Sequence, residues 1–214
     1  MKTFMSEDFL LSTPTARRLY HEVAEGLPII DYHCLPPPAD IANDIKFRNI
    51  GHLFLGGDHY KWRAMAAYGF DNEFIRTSDD YERFLAYAKA MPMMIGNPLH
   101  HWTHLELKRV FGITDILSEK TAQAVWDRTS ALLATDEYSA KNLIRRFNVE
   151  VICTTDDPID DLRHHQQLAK DQNLGFRVLP AFRPDKALKA GQQGFGDSAN
   201  CPKCPALPFN RLLM

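Results

Sequence analysis

A strand–helix–strand pattern in the second half of the chain constrains the fold more than any other feature. β-Branched residues fill Val149–Thr154, and Phe176–Phe182 is a second apolar strand that follows a helical stretch. Two strands joined by a helix form a βαβ unit, whose strands are parallel. A third strand signal, Leu27–Tyr32, stops at the corner Pro36–Pro38, because proline cannot donate to a ladder. We therefore predict an α/β fold with about three strands.

Helical patterns fill the long stretch between the first and second strands, about residues 40–147. The Thr103–Glu106 spacing is that of a capping box and predicts a helix start, and Gly112 is a typical helix stop. After the second strand, Asp157–Pro158 combines a good N-cap with a good first helical residue. This dipeptide predicts the start of the crossover helix.

Composition limits the classes of partner. Among 214 residues, 25 Lys and Arg oppose 27 Asp and Glu, so the formal net charge is -2. Such a chain lacks the basic footprint of proteins that bind nucleic acid or anionic membranes. No apolar run approaches the roughly 20 residues that span a bilayer. We expect a cytoplasmic globular protein that binds neither nucleic acid nor membrane.

His33 lies just beyond the first strand, where α/β barrels build their active sites. A neutral imidazole suits a divalent transition metal, but a histidine at a strand end also serves as a hydrogen-bonded structural residue. A second histidine two residues on would share its face and favour the metal. That position is Leu35, so the metal signal is incomplete.

The run from Gly56 to Arg63 is the densest polar and aromatic cluster of the chain. It includes His59 and Tyr60 and is able to bind a polyhydroxylated or carboxylated ligand, with Tyr60 as a proton donor. The alternative is a solvated turn that leads into a helix. At the end of the third strand, Arg183 is placed to hold a substrate carboxylate bidentately.

The remaining histidines and cysteines give weaker signals. His101 and His104 lie three residues apart and form either a ligand pair or part of an aromatically packed helix start. We interpret His164–His165 as surface residues of the crossover helix. Cys201 and Cys204 have the spacing of half a zinc site, without a second pair.

Four blocks of the sequence, in this order, are similar to the uronate (glucuronate) isomerase family: Asp31–Cys34, Gly57–Met65, Ile95–Arg109 and Cys153–Pro158. The resemblance implies the amino-terminal part of a (β/α)8 TIM-type barrel of the amidohydrolase superfamily, with a large helical insertion after the first strand. The helical stretch 40–147 fits that insertion. The family interconverts D-glucuronate with D-fructuronate, and D-galacturonate with D-tagaturonate, in hexuronate catabolism.

The resemblance also implies a site. The family binds one divalent metal, commonly zinc, through a His-x-His pair after the first strand and an aspartate after the last. His33 matches the first histidine, His59 and Tyr60 match residues that contact the sugar, and Arg183 matches an arginine that holds the substrate. Tyr60 is the expected catalytic proton donor. The expected partner is a small hexuronate, and the full-length family is expected to form homo-oligomers.

The chain departs from the family pattern. Leu35 replaces the second histidine, and we place the end of the similarity near Lys189, before any strand that carries the aspartate ligand. We expect a partial barrel in residues 1–189 and an irregular, non-family tail in 190–214. Open strand edges pair with other chains. We therefore expect the isolated chain to aggregate or stay partly unfolded, without isomerase turnover.

Two alternatives stay open. One is a metal-dependent hydrolase of the same superfamily, since a fold does not fix a function. The other is an inert truncated fragment or a small zinc-binding module in which Cys201 and Cys204 hold the metal.

Overall fold

The computed structural model describes residues 4–158 and 160–184. These residues belong to two compact units, which we call the helical unit (residues 4–27 and 44–146) and the sheet unit (residues 28–43, 147–158 and 160–184). The domain boundary at residue 189, the tail 190–214 and the Cys201–Cys204 pair lie outside the described residues, and the predictions for them stay predictions. Within the described ranges, no helix is long and apolar enough to cross a membrane.

The sheet unit contains three parallel strands in the order β1-β2-β3: β1 (Ile29–Cys34), β2 (Val149–Asp156) and β3 (Arg177–Phe182). The predicted α/β fold is confirmed, and a three-stranded parallel sheet is consistent with the first part of a TIM-type barrel. β1 begins two residues later than Leu27–Tyr32, because Leu27 still donates to the preceding turn at Ala24 and the first ladder bond runs from Ile29 to Asn148.

Much of the apolar surface of the two outer strands is open to solvent. Ile30 and Tyr32 of β1 are 61% and 81% exposed, and Phe182 of β3 is 76% exposed. The central strand is better covered, since Val151 and Ile152 are buried. Apolar, β-branched outer strands of this kind are typical of strands that other elements cover.

The crossover helix α10 (Arg163–Ala169) begins later than Asp157–Pro158, so that prediction is wrong. Asp157 N–H donates to Asp160 Oδ2, and Asp160 N–H donates to Asp157 O, both at 3.0 Å. Carboxylates that bond to nearby backbone compete with helix formation, and here they stabilise a turn instead. The chain enters the helix only after Leu162, whose φ is 54°.

The helical unit contains helices α1 and α3–α9, and the sheet unit contains a short helix, α2, after β1. Their bounds are α1 (Pro14–Leu19), α2 (Pro38–Ala42), α3 (Ile50–Leu55), α4 (His59–Ala67), α5 (Asn72–Thr77), α6 (Asp80–Ala90), α7 (Pro98–Phe111), α8 (Ala122–Leu133) and α9 (Ala140–Arg146). The core of the helical unit is apolar and aromatic. Its fully buried side chains include Phe84, Tyr87, Met91, Leu107 and Leu133.

Helices α3 and α6 approach closely at Gly51. A Cβ at this position would lie 2.2 Å from the Asp80 carbonyl oxygen, so the contact requires glycine. Arg48 Nη2 and Asp80 Oδ2, 2.9 Å apart, form an ion pair beside the contact. The pair and the missing Cβ together set the distance between the two helices.

Helix α7 begins at Pro98, not at Thr103, so the capping-box prediction is wrong. Asn97 is the N-cap and accepts the Leu99 N–H at 3.0 Å, while Thr103 is fully buried and hydrogen-bonds Tyr87 at 2.7 Å between the hydroxyl oxygens. The predicted stop at Gly112 is confirmed. Its φ of 63° is the left-handed conformation that favours glycine at a helix end.

Candidate functional site

His33 and Arg183 lie at the carboxyl ends of the two outer strands, β1 and β3, and therefore at the same edge of the sheet. His33 is an exposed residue near the end of β1, and its N–H donates to Asp31 Oδ1 at 3.2 Å. Arg183 follows β3 directly, and its N–H donates to the Asp156 carbonyl at 2.9 Å. Because all three strands are parallel, their carboxyl ends share this edge, which is where α/β folds bind ligands.

Cys34, next to His33, is not suited to act as a nucleophile or as a metal ligand. Its side chain is buried, and burial, aided by the negative charge of Asp31, raises the pKa of the thiol to about 12. A thiol is a nucleophile or a metal ligand only as the thiolate. Cys34 is therefore an inert packing residue at neutral pH.

A buried polar network joins β2 to α10. Thr154 Oγ1 donates to Asp156 Oδ2 at 2.7 Å and lies 2.8 Å from His165 Nε2, and all three residues are buried. The interpretation of His165 as a surface residue is wrong, because Thr154 and the Asp156 carboxylate, 3.6 Å from Nε2, draw it inward. The signal that could have found the network is the strand period, which places Ile152, Thr154 and Asp156 on one buried face.

Two members of the network, Asp156 and His165, line an open cleft of about 440 Å³. The cleft is lined by Pro37–Ala39, Asp156 and Asp160–His165. Asp156 thus has two roles at the edge of the sheet: its carboxylate accepts the Thr154 hydroxyl beside the cleft, and its carbonyl accepts the backbone N–H of Arg183. Sequence reasoning assigned Asp156 no function.

His59 and Tyr60 are the first two residues of α4 in the helical unit. Asp58 is the N-cap, and its Oδ1 accepts the N–H of Tyr60 at 2.9 Å. Both side chains are exposed, Tyr60 by 62%, while the His59 ring packs edge-on against Trp62 and the Arg63 guanidinium lies 4.8 Å from the Tyr60 ring centroid. A phenol beside a guanidinium on an exposed helix start is accessible to an anionic ligand.

Of the two interpretations of His101 and His104, aromatic packing is the one that the geometry supports. His104 is buried, and both ring nitrogens are engaged: Nδ1 with the His100 carbonyl at 2.6 Å and Nε2 with the Leu117 N–H at 2.9 Å. The Phe4 ring packs against the rings of His100, His101 and His104. A histidine with both nitrogens occupied has none left for a metal.

We expect the helical unit to lose stability as the pH falls from 7.5 to 5. Burial lowers the pKa of His100 and of His104 in the folded chain. The same histidines have a pKa of about 6.5 in the unfolded chain, so below this pH the unfolded chain binds protons that the folded chain does not. Their contribution to the free energy of unfolding is therefore fully present above a pH of about 6.5 and is lost as the pH falls through the lower pKa values of the folded chain. The urea midpoint, followed by tryptophan fluorescence, measures the loss, since all three tryptophans lie in the helical unit.

The matched variant is His104→Gln, which keeps a polar side chain but does not titrate. Its urea midpoint should depend less on pH than that of the wild type, and an equally steep dependence would contradict the assignment. His21 works in the opposite direction: hydrogen bonds to Glu25 and Asp8 raise its pKa, so its contribution is present at low pH and lost as the pH rises. The variant isolates the His104 contribution from that of His21.

The described residues do not by themselves fit the expected metal. Across 4–158 and 160–184, no group of three or more His, Cys, Asp and Glu residues is placed to hold an ion. The position two residues after His33 is Leu35, an exposed apolar side chain. Among the described residues, His33 therefore offers one ligand at this position.

The comparison with protein families decides the affiliation of the chain. The glucuronate isomerase family model matches residues 1–201, which is most of the chain. The chain belongs to the glucuronate isomerase family. The match extends past Lys189, where the sequence motifs placed the end of the similarity, and the family is one of isomerases.

Curated relatives and solved structures agree with this affiliation. The uronate isomerases of Caldicellulosiruptor saccharolyticus and of Caldanaerobacter subterraneus subsp. tengcongensis are 53% and 50% identical to the chain over 196 residues, which is 91% of the chain and 42% of each relative. The crystal structure of uronate isomerase from Thermotoga maritima superimposes with a TM-score of 0.85 at 35% identity, covering 92% of this chain and 43% of that one. For glucuronate isomerase from Caulobacter crescentus the TM-score is 0.79, the identity 28%, and the coverage 87% and 41%. The chain thus spans about two fifths of the length of its relatives.

Proposed function

We propose that this chain serves uronate isomerisation, the interconversion of D-glucuronate with D-fructuronate and of D-galacturonate with D-tagaturonate, in hexuronate catabolism. The observation that carries the proposal is the match to glucuronate isomerase over residues 1–201. The common sheet edge of His33 and Arg183 supports it, since this is where a barrel enzyme binds its substrate. The chain contributes the first strands and the helical insertion of that enzyme.

In this proposal the sugar loses a proton from C2, passes through a cis-enediol and regains a proton at C1. Arg183 holds the uronate carboxylate by charge-assisted hydrogen bonds, which fixes the sugar at the sheet edge. Tyr60 passes protons to and from the sugar oxygens, and His59 contacts the sugar beside it. The exposure of Tyr60 and His59 at the start of α4 supports these roles.

We further propose that His33 is one ligand of a divalent metal, with zinc as the favoured ion, in the enzyme to which the chain contributes. The relatives are more than twice as long as the chain, so their remaining ligands have room to lie beyond the matched part. The proposed partner is a hexuronate in a cytoplasmic, homo-oligomeric enzyme, as the composition and the family resemblance indicate.

An isomerase assay with the two halves of the enzyme tests the function. The chain alone, with zinc and D-glucuronate, is expected to give no turnover. Co-expressed with the part of the Caldicellulosiruptor relative that it does not match, it is expected to give measurable D-fructuronate. Arg183→Met and Tyr60→Phe should each lower kcat/KM by about 100-fold or more if they hold the substrate and transfer its proton.

The controls are the relative's part expressed alone and the pair assayed on ester and amide substrates. A stable pair that converts no uronate would contradict the proposal, and hydrolysis without isomerisation would favour the hydrolase. Turnover by the chain alone would contradict the expectation that the first strands need a partner.

A further inference from the structure

Lys61 is a buried cation in the first turn of α4, one residue after Tyr60. It is 7% exposed, although lysine is almost never buried unless it is paired. Its ammonium lies 3.4 Å from Asp58 Oδ2, 3.6 Å from Glu106 Oε2 and 4.5 Å from the centroid of the Phe54 ring. Three helices of the helical unit, α3, α4 and α7, therefore meet at this one charge.

Asp58 uses its two carboxylate oxygens for two different tasks. Oδ1 accepts the N–H of Tyr60 at 2.9 Å and of Lys61 at 3.1 Å, and this caps α4. Oδ2 faces the Lys61 ammonium. The orientation of the capping carboxylate thus depends on the cation, and the cap in turn fixes the backbone of Tyr60.

Glu106, in the middle of α7, provides the second carboxylate near the Lys61 ammonium. The Glu106 side chain is 40% exposed, but its Oε2 atom is buried and faces the Lys61 ammonium, with which it forms an ion pair. Burial raises the pKa of the Glu106 carboxyl, and the Lys61 ammonium opposes this rise. The pair ties the first turn of α4 to a helix that is anchored in the core.

An apolar side chain of the same length would fill the space of Lys61 without the cost of removing a charge from water. What it could not do is orient the Asp58 carboxylate. The described geometry therefore makes the charge of Lys61, not its volume, the property that matters at this position.

We infer that Lys61 is a positioning residue: clamped between Asp58 and Glu106, it fixes the first turn of α4 and with it the direction in which His59 and Tyr60 are presented. The purpose of this positioning rests on the proposed function. The contacts of Lys61 with Asp58 and Glu106 are observed independently of that function. Lys61 does not contact the sugar in this scheme and acts through Asp58.

Amide hydrogen exchange in the full chain tests the inference without any substrate. In Lys61→Met, the amides of residues 60 and 61 should exchange faster by about tenfold or more relative to the Leu107 amide, which reports opening of the whole unit. The resonances of the His59 ring should shift as well. Lys89→Met, the same change at a half-exposed lysine paired with Glu119, should leave the amides of residues 60 and 61 unchanged.

In Lys61→Met the Glu106 carboxylate loses its ionic partner. The double variant Lys61→Met with Glu106→Gln removes that carboxylate charge as well, and so separates an effect on stability from an effect on positioning. Exchange at Leu107 should return to the wild-type rate, while the amides of residues 60 and 61 stay fast. Recovery of all three amides, or equal acceleration of all three in the single variant, would overturn the inference. The inference would also be overturned if the amides of residues 60 and 61 showed no protection against hydrogen exchange in the wild type. None of these results depends on isomerase activity, so they are distinct from a failure of the proposed function.

Discussion

Replacement of Thr154 by valine is expected to destabilise the sheet unit by about 3 kcal/mol. Valine has nearly the shape of threonine, so the volume of the fully buried side chain is kept and only the hydroxyl is lost. That hydroxyl lies 2.7 Å from Asp156 Oδ2 and 2.8 Å from His165 Nε2. Since it has one proton, it donates to the carboxylate and accepts from the imidazole, and its removal leaves two buried polar groups without this partner.

The measurement is the protection of β2 amides against hydrogen exchange, because the tryptophans lie in the helical unit and do not report on the sheet. Low protein concentration limits pairing of strand edges between chains. The matched control is Thr155→Val, on the same strand at a partly exposed position, where we expect about 0.5 kcal/mol or less. Equal losses in both variants would contradict a central role for the Thr154 hydroxyl.

Replacement of Leu35 by histidine is expected to raise the affinity of the chain for Zn²⁺ by about tenfold or more, or about 1.4 kcal/mol. The change creates a His-x-His pair with His33, and residue 35 directly follows β1. Two imidazoles at this spacing are able to bind one zinc ion where the chain that joins them is extended. Leu35 is 60% exposed, so the substitution removes little buried surface and the fold should tolerate it. Zinc titration by calorimetry at pH 7.5 measures the gain.

Two controls make this experiment specific. Adding His33→Ala to Leu35→His should return the affinity to that of the wild type, because a single imidazole remains. Both titrations are made with Cys201 and Cys204 replaced by serine, and the wild-type zinc stoichiometry before and after Cys204→Ala tests the zinc-module alternative. An unchanged affinity in Leu35→His would contradict the expectation that side chains at positions 33 and 35 bind one zinc ion together.

The strands could be predicted because the β-branched residues at Ile29–Ile30 and within Val149–Ile152 favour extended structure. The end of α7 could be predicted because glycine at position 112 suits a left-handed helix end. The start of α10 was not predictable from Asp157–Pro158. The competition there is between a helix cap and a carboxylate-stabilised turn, and only the distances of folded side chains decide it. Local preferences of nearly equal strength leave such boundaries open.

Some residues of the candidate site could likewise be placed from the sequence, and others could not. His33 and Arg183 could be placed at this edge of the sheet, because one lies near the end of a parallel strand, the other directly follows one, and only the chain direction is needed. The strand period could place Thr154 and Asp156 on one buried face of β2. It could not place His165 beside them, since that depends on which face of α10 packs against β2. The double role of Asp58, as a cap and as the partner of a buried lysine, likewise needs the packing of α4 against α7.

The order of the strands along the chain also bears on how the protein is made. β1 pairs with β2, yet more than one hundred residues separate Cys34 from Val149, and nearly all of them form the helical unit. A ribosome needs on the order of 10 s to add that many residues. The helical unit is built largely from contacts between nearby helices and can fold during this interval. Over the same time β1 remains unpaired, because β2 has not yet been synthesised. Chaperones that bind nascent chains would find their target in this strand.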